Sequence, residues 1–324
     1  MSGVPVLRDV SIQDILQARE RIRGTVRDTP LQHSPWLSER AGCPVFLKLE
    51  CWQRTGSFKL RGASNAVALL DADARARGLV TASAGNHGQG LALAAAGAGI
   101  QADIFVPDSA PETKKARIRG YGARLHVVPG IYDQAAEAAL AFAEESGGYH
   151  LHPFGDPGVV AGQGTVGVEI AEALPGVRTV LVPVGGGGLI SGAGLALKTL
   201  TAGAVRVIGV QSDATPAMHA AFAAGRVVPA PMADTLADGL SGATETASYE
   251  RARLVTDDMI LVGERGLAPA IRDLYVHDGV VAEGSGAVGV AALRDGAVSL
   301  DGPAVVIISG GNIDAATLAR ILSG

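Results

Sequence analysis

Short, nearly unbroken apolar runs alternate along this chain with alanine-rich stretches of helical period. The runs that read as strands are Val45–Leu49, Leu79–Ala82, Asp103–Val106, Arg124–Val128, Val180–Val184, Val205–Val210, Met259–Val262 and Val305–Ile308. Continuous rather than alternating apolarity predicts strands covered on both faces. Strands interleaved with helices of about 10–15 residues predict crossover units and parallel sheets. Near the start, Ser11 and Asp14 open a helical stripe of Ile12, Ile15, Leu16, Ile22 and Val26. So many strands exceed one comfortable open sheet, so two sheets are expected. No segment repeats at a solenoid period, and no low-complexity linker divides the chain.

Composition narrows the picture. The 324 residues are 48% hydrophobic, 18% charged and 4% aromatic, too apolar and too weakly charged for disorder. A formal charge of −5 offers no basic field for nucleic acid or anionic lipid. A small molecule is the expected partner. Cys43 and Cys51 show neither a disulfide framework nor metal-ligand spacing, which fits a reducing cytosol. The start, MSGVPVLRDV, has no signal-peptide pattern, and no apolar stretch approaches the ~20 residues of a membrane span. A cytoplasmic protein is expected.

The 44 glycines matter for where they cluster. Ser83-Ala84-Gly85-Asn86-His87-Gly88, Gly185-Gly186-Gly187-Gly188 and Ser309-Gly310-Gly311-Asn312 each follow a strand and precede a helix. In open α/β sheets ligands bind just beyond the carboxyl ends of strands, so the three loops can converge on one ligand. The tetraglycine is the best anion cradle. Glycine lets consecutive N–H groups line one concavity, and the following helix adds its positive end. A phosphate is the natural guest; a tight strand-to-helix turn is the competing reading.

Other phosphate motifs fail. Gly185 and Gly187 are followed by Ile190, and Gly186 and Gly188 by Ser191, so no dinucleotide fingerprint forms. The following strand ends in Gln211 rather than an acid. Lys198-Thr199 follows Leu197, not the glycine of a triphosphate loop. The G-x-S-x-G elbow and H-E-x-x-H are also missing. His150 and His152 sit two apart with no third ligand in evidence, so no metal is expected there. His87 reads as support for its loop.

Among the lysines, Lys59 has the unusual setting, just past a strand in Thr55-Gly56-Ser57-Phe58-Lys59-Leu60-Arg61-Gly62-Ala63. Ser57 reads as a cap that places Lys59 in a helix's first turn. There the dipole disfavours a cation, and with Arg61 nearby the amine would tend to be neutral, as a Schiff-base lysine requires. The ordinary alternative is a surface lysine on an amphipathic helix.

Taken together, SFKLRGA, SAGNHGQG, GQGTVGVEI, PVGGGGL and SGGNID, in that order from about Thr29 to Asp314, resemble the fold-type II pyridoxal-phosphate enzymes. The likeness is specifically to threonine/serine dehydratases and serine racemases. It implies a tryptophan synthase β-like α/β fold of two open parallel-sheet domains, with the cofactor in the cleft between them. Residues 1–77 and 151–324 would form the large domain and 78–150 a small inserted one. Closure over the substrate would exclude water. A homodimer is implied as well.

The resemblance also assigns roles. Lys59 would hold pyridoxal 5'-phosphate covalently and, once freed by substrate, take the Cα proton. Phe58 would pack on the ring, Asn86 would bond the phenolic oxygen, and Gly185, Gly186, Gly187 and Gly188 would hold the phosphate. Ser309 would face the ring nitrogen, leaving it largely unprotonated. Such a weak electron sink fits elimination. Ser83, Ala84, Gly85, Asn86 and His87 would bind the substrate carboxylate. The expected reaction converts L-threonine or L-serine to a 2-oxo acid and ammonia.

Departures from the family pattern refine this. Racemases carry a second serine where this chain has Ala84, and typically an asparagine in place of Phe154, so efficient racemisation is not expected. Gln211 and Ala217 replace carboxylates that bind a divalent cation in some members, with Asp213 out of register. Gly284 stands where proline is common, which leaves 3-hydroxyaspartate and hydroxyectoine-derived substrates open. β-Replacement, as in cysteine synthases, and a non-catalytic cofactor-binding protein are the other readings. The chain ends at Gly324, without the regulatory domain of biosynthetic threonine dehydratases, so isoleucine control is not expected.

Overall fold

A computed structural model describes Pro5 and residues 7–324. Its strands, in chain order, are β1 (Leu31–His33), β2 (Val45–Lys48), β3 (Leu79–Ala82), β4 (Ala102–Pro107), β5 (Arg124–Val128), β6 (Tyr149–His150), β7 (Thr179–Pro183), β8 (Arg206–Ser212), β9 (Asp258–Val262) and β10 (Ala304–Ile307). They form two sheets, as the strand number required. One has six strands in the order β1-β2-β10-β7-β8-β9, the other four in the order β5-β4-β3-β6. Every pairing is parallel except that of β1 with β2. All eight expected strands are present, β3 and β5 with the expected ends and the other six with ends shifted by a residue or two. β1 and β6 were missed, because two or three residues carry no periodic signal.

Strand β7 is buried along its whole length, which is why its sequence is apolar without alternation. The period of two survives in which core each side chain joins. Leu181, Ile208 and Val306 enter the core on one face of the large sheet, whereas Val180, Val182, Val207, Val305 and Ile307 enter the other. In the small sheet Ile104 and Phe105 divide in the same way.

The Ile12–Ile22 helix starts as expected, Ser11 and Asp14 forming a reciprocal capping box. It ends before Val26, which lies in the following turn instead of on the stripe. Three helices position the site: Lys59–Leu69, Pro157–Ala173 and Gly188–Leu200. They pack backbone to backbone. A Cβ on Gly162 would lie 2.6 Å from the Arg61 carbonyl oxygen, and one on Gly192 would collide with the Val160 carbonyl. The G-Q-G-T-V-G segment is therefore a packing motif that sets the lysine helix against the tetraglycine helix.

Behind this contact lies a buried ionic network. Arg61 donates to Glu50 through Nε and Nη2, both at 2.8 Å, to Glu169 and to Thr165. Lys48 donates to Glu169 and, at 2.6 Å, to the Thr29 carbonyl. Among the described residues no helix is long and apolar enough to cross a membrane.

Candidate active site

Lys59 is the first residue of its helix. Ser57 does not cap it: Phe58 occupies the N-cap position, and the buried Ser57 hydroxyl has no hydrogen-bond partner. The chain is instead fixed from outside. Phe58 N–H donates to the Ser309 carbonyl at 3.1 Å, Gly311 N–H donates to the Gly56 carbonyl at 2.9 Å, and Ser57 bridges Gly310. The lysine loop and the Ser309 loop thus form one unit.

The Lys59 Nζ lies 5.4 Å from the Phe58 ring centroid and donates to the Pro153 carbonyl at 2.9 Å. Lys59 keeps some exposure, yet the protein packed around it pushes its pKa down to about 8. The cause is desolvation. Arg61, expected to contribute, is turned away into the ionic network, about 200° around the helix from Lys59.

The Ser83 loop follows β3 and leads into the Asn86–Gly97 helix. Ser83 Oγ accepts from Gly85 N–H at 3.2 Å, and a Cβ on Gly90 would sit 3.2 Å from the Lys59 carbonyl oxygen. This helix start therefore rests on the lysine helix. Asn86 Nδ2 donates to Glu283 Oε1 at 2.6 Å, and its Oδ1 accepts from Asn312 Nδ2 at 2.7 Å. Burial first, then the charge of Asp238, pushes the Glu283 carboxyl up to about 7. His87 is buried, with Nε2 3.3 Å from the Leu151 carbonyl, so that nitrogen carries the proton. Burial drives its pKa down to about 3, leaving it a neutral support for the loop.

The tetraglycine is a cradle that side chains would fill. Gly187 has φ +91°, and the helix begins at Gly188. A Cβ on Gly186 would strike the Phe154 ring, and one on Gly185 would lie 3.1 Å from the Leu240 Cα. Consecutive N–H groups at a helix start suit a phosphate. Ser309 Oγ has only a 3.5 Å contact with the Ser285 carbonyl, which leaves it free to bond a ring atom. A desolvated amine, an anion cradle, an amide and a hydroxyl at one cleft fit the aldehyde, phosphate, phenolic oxygen and ring nitrogen of pyridoxal phosphate.

Sequence reasoning missed Glu283, Asn312 and the Pro153 carbonyl. Asn312 lies in a motif already singled out, but its side-chain partners Arg117, Asn86 and Thr55 stand 195, 226 and 257 positions away. His150 and His152 have ring centroids 6.4 Å apart, and no three or more His, Cys, Asp or Glu side chains converge on a metal-sized site among the described residues. Gln211 Oε1 accepts from His219 N–H, and Asp213 Oδ1 from Glu264 N–H.

Residues 22–310 match the family model described as pyridoxal-phosphate dependent enzyme. L-threonine ammonia-lyase of Thermotoga maritima is 44% identical over 97% of this chain and 78% of its own length. The catabolic L-threonine dehydratase TdcB of Escherichia coli K12 is 39% identical over 96% of each. Maize serine racemase superimposes with a TM-score of 0.92 at 33% identity, covering 97% of both chains. With the family model and these relatives agreeing over nearly the full length, the chain belongs to the fold-type II pyridoxal-phosphate dependent enzymes of the threonine/serine dehydratase family.

Proposed function

We propose that this enzyme dehydrates a small β-hydroxy amino acid, L-threonine or L-serine, to the 2-oxo acid and ammonia. The observation that carries the reading is a desolvated Lys59 amine held by the Pro153 carbonyl, next to the Phe154 that covers the glycine cradle, and beside a helix start suited to a carboxylate. Lys59 would hold the cofactor covalently, Phe58 would flank its ring, Asn86 would bond the phenolic oxygen, Gly185–Gly188 the phosphate, and Ser309 the ring nitrogen. When bound, the cofactor withdraws electrons from the substrate Cα.

The chain's own groups do the rest. Free N–H groups at the start of the Asn86–Gly97 helix, with Ser83, would bind the substrate carboxylate. Glu283 and Asn312 hold the Asn86 amide in one orientation. Lys59, with a pKa near 8, has an accessible neutral form at physiological pH and serves as the base for the Cα proton. Ala84 supplies no proton to the opposite face, which favours elimination over racemisation. Residues 78–150 would close on the rest of the chain, with Lys114 reaching Asp238 at 2.8 Å across that division. A cytoplasmic homodimer is the expected working form.

The test is 2-oxo acid release by the cofactor-loaded protein from L-threonine and L-serine, with Lys59→Ala as control. Loss of both turnover and the bound-cofactor absorbance in the variant is expected. Retained turnover would sink the assignment of Lys59.

A further inference from the structure

Lys59, the Ser83–His87 loop and the tetraglycine account for three sides of the reaction centre. The fourth is built from His152–Phe154 and the segment Leu240–Glu245. Pro153 accepts from the Lys59 Nζ, Phe154 covers Gly186, and Leu240 lies against Gly185. The His152 ring stands edge-on to Phe154 with centroids 4.6 Å apart, and His152 Nε2 meets Glu245 Oε1 at 3.0 Å. A substrate whose Cα sits at Lys59, and whose carboxylate and the cofactor phosphate take two other sides, has this wall for its side chain.

The protonation state of His152 decides the charge of that wall. Its Nδ1 accepts from the Gly155 N–H at 2.8 Å and faces the Phe154 N–H at 3.4 Å. A nitrogen that accepts carries no proton, so the ring is neutral and donates to Glu245 through Nε2–H. The half-exposed Glu245 carboxylate thus meets a neutral ring donor in His152 rather than a cation. It occupies the N-cap position of the Thr246–Val255 helix without bonding that helix's N–H groups. Arg251, on that same helix, is spent on Asp9 and the Gly155 carbonyl, and Lys114 on Asp238. Asp133 and Glu245 both bear on Tyr132, whose pKa is raised by burial first and by these charges next.

We propose that Glu245, aligned by neutral His152, sets the charge selectivity of the site, admitting neutral side chains and disfavouring a second carboxylate such as that of 3-hydroxyaspartate. This rests on the dehydratase reading and deepens it. The experiment uses L-asparagine and L-aspartate, which match in shape and differ in charge, titrated into the cofactor-loaded enzyme and followed by the cofactor's absorbance. The native enzyme should bind L-asparagine about tenfold more tightly, the order expected for like charges several ångströms apart in a partly solvated cleft. Glu245→Gln should narrow that ratio to within about threefold, and Glu245→Lys should invert it. Equal binding by the native enzyme, or a ratio unchanged in Glu245→Gln, overturns the proposal. A variant that merely weakens both ligands equally leaves the ratio unchanged and counts against it too. Failure to turn over threonine or serine would bear on the dehydratase reading alone.

Discussion

Lys59 and Arg61 stand two residues apart on one helix, both withdrawn from water, and the molecule handles their charges in opposite ways. Arg61 is wholly buried and fully paired. Burial works against its charge, but Glu50 and Glu169 more than offset that, and its pKa stands above the ordinary value. Lys59 has a carbonyl and an aromatic ring for company, and its pKa falls to about 8. Burial alone does not decide whether a cation survives; the presence of carboxylates does. One side of the helix is thereby anchored by a closed ionic network, while its N-terminus offers an amine whose neutral form is within reach near pH 8.

The largest effect should come from opening the network. Arg61→Met leaves Glu50 and Glu169 buried with only Lys48 to balance them, and should cost about 3–5 kcal/mol of stability in a denaturant titration. A cost under about 1 kcal/mol would mean that the two sides of the helix do not differ as described.

How much of this contrast the sequence carried depends on the range of the interaction. The strands were readable because parallel strands buried on both faces leave unbroken apolar runs, and the three glycine loops because each follows such a run. The capping box at Ser11 was readable because both partners lie within four residues. Arg61 was misread because proximity in sequence was taken for proximity in space, whereas residues two apart on a helix point to opposite sides. Glu283 and Asn312 meet Asn86 across separations of 197 and 226 residues. No local pattern records such a pairing, so only the fold reveals it.

Glu283 is the intermediate case, buried and hydrogen-bonded but without a cation in contact. Its folded pKa of about 7 stands above the ordinary 4.5. The folded state therefore binds that proton more tightly than the unfolded chain, and the cost of burying the carboxylate grows as pH rises from 4.5 to 7. Glu283→Gln keeps an acceptor for Asn86 and removes the charge. It should leave stability unchanged near pH 4 and raise it by about 2–3 kcal/mol above pH 7. A gain independent of pH would show that packing, not ionisation, is responsible.

The smallest effect, and the sharpest test of the comparison, is Lys59→Met in the cofactor-free protein. The folded pKa of about 8 lies below the ordinary 10.5, so the unfolded chain holds the proton more tightly. Below pH 8 both states are protonated and the folded one carries the full cost of a desolvated ammonium. Between 8 and 10.5 the folded amine deprotonates first and the cost fades. Methionine should therefore stabilise the protein by about 1–2 kcal/mol at pH 6, the figure reduced because the cleft leaves the amine partly solvated, with the gain shrinking toward pH 10. Thermal midpoints of both proteins across that range give the curve. Stabilisation from removing one cation, set beside destabilisation from removing another two residues away, would establish that the carboxylates make the difference. A loss of stability in Lys59→Met at pH 6 would mean that the Pro153 contact compensates for desolvation, and the contrast between the two cations would collapse.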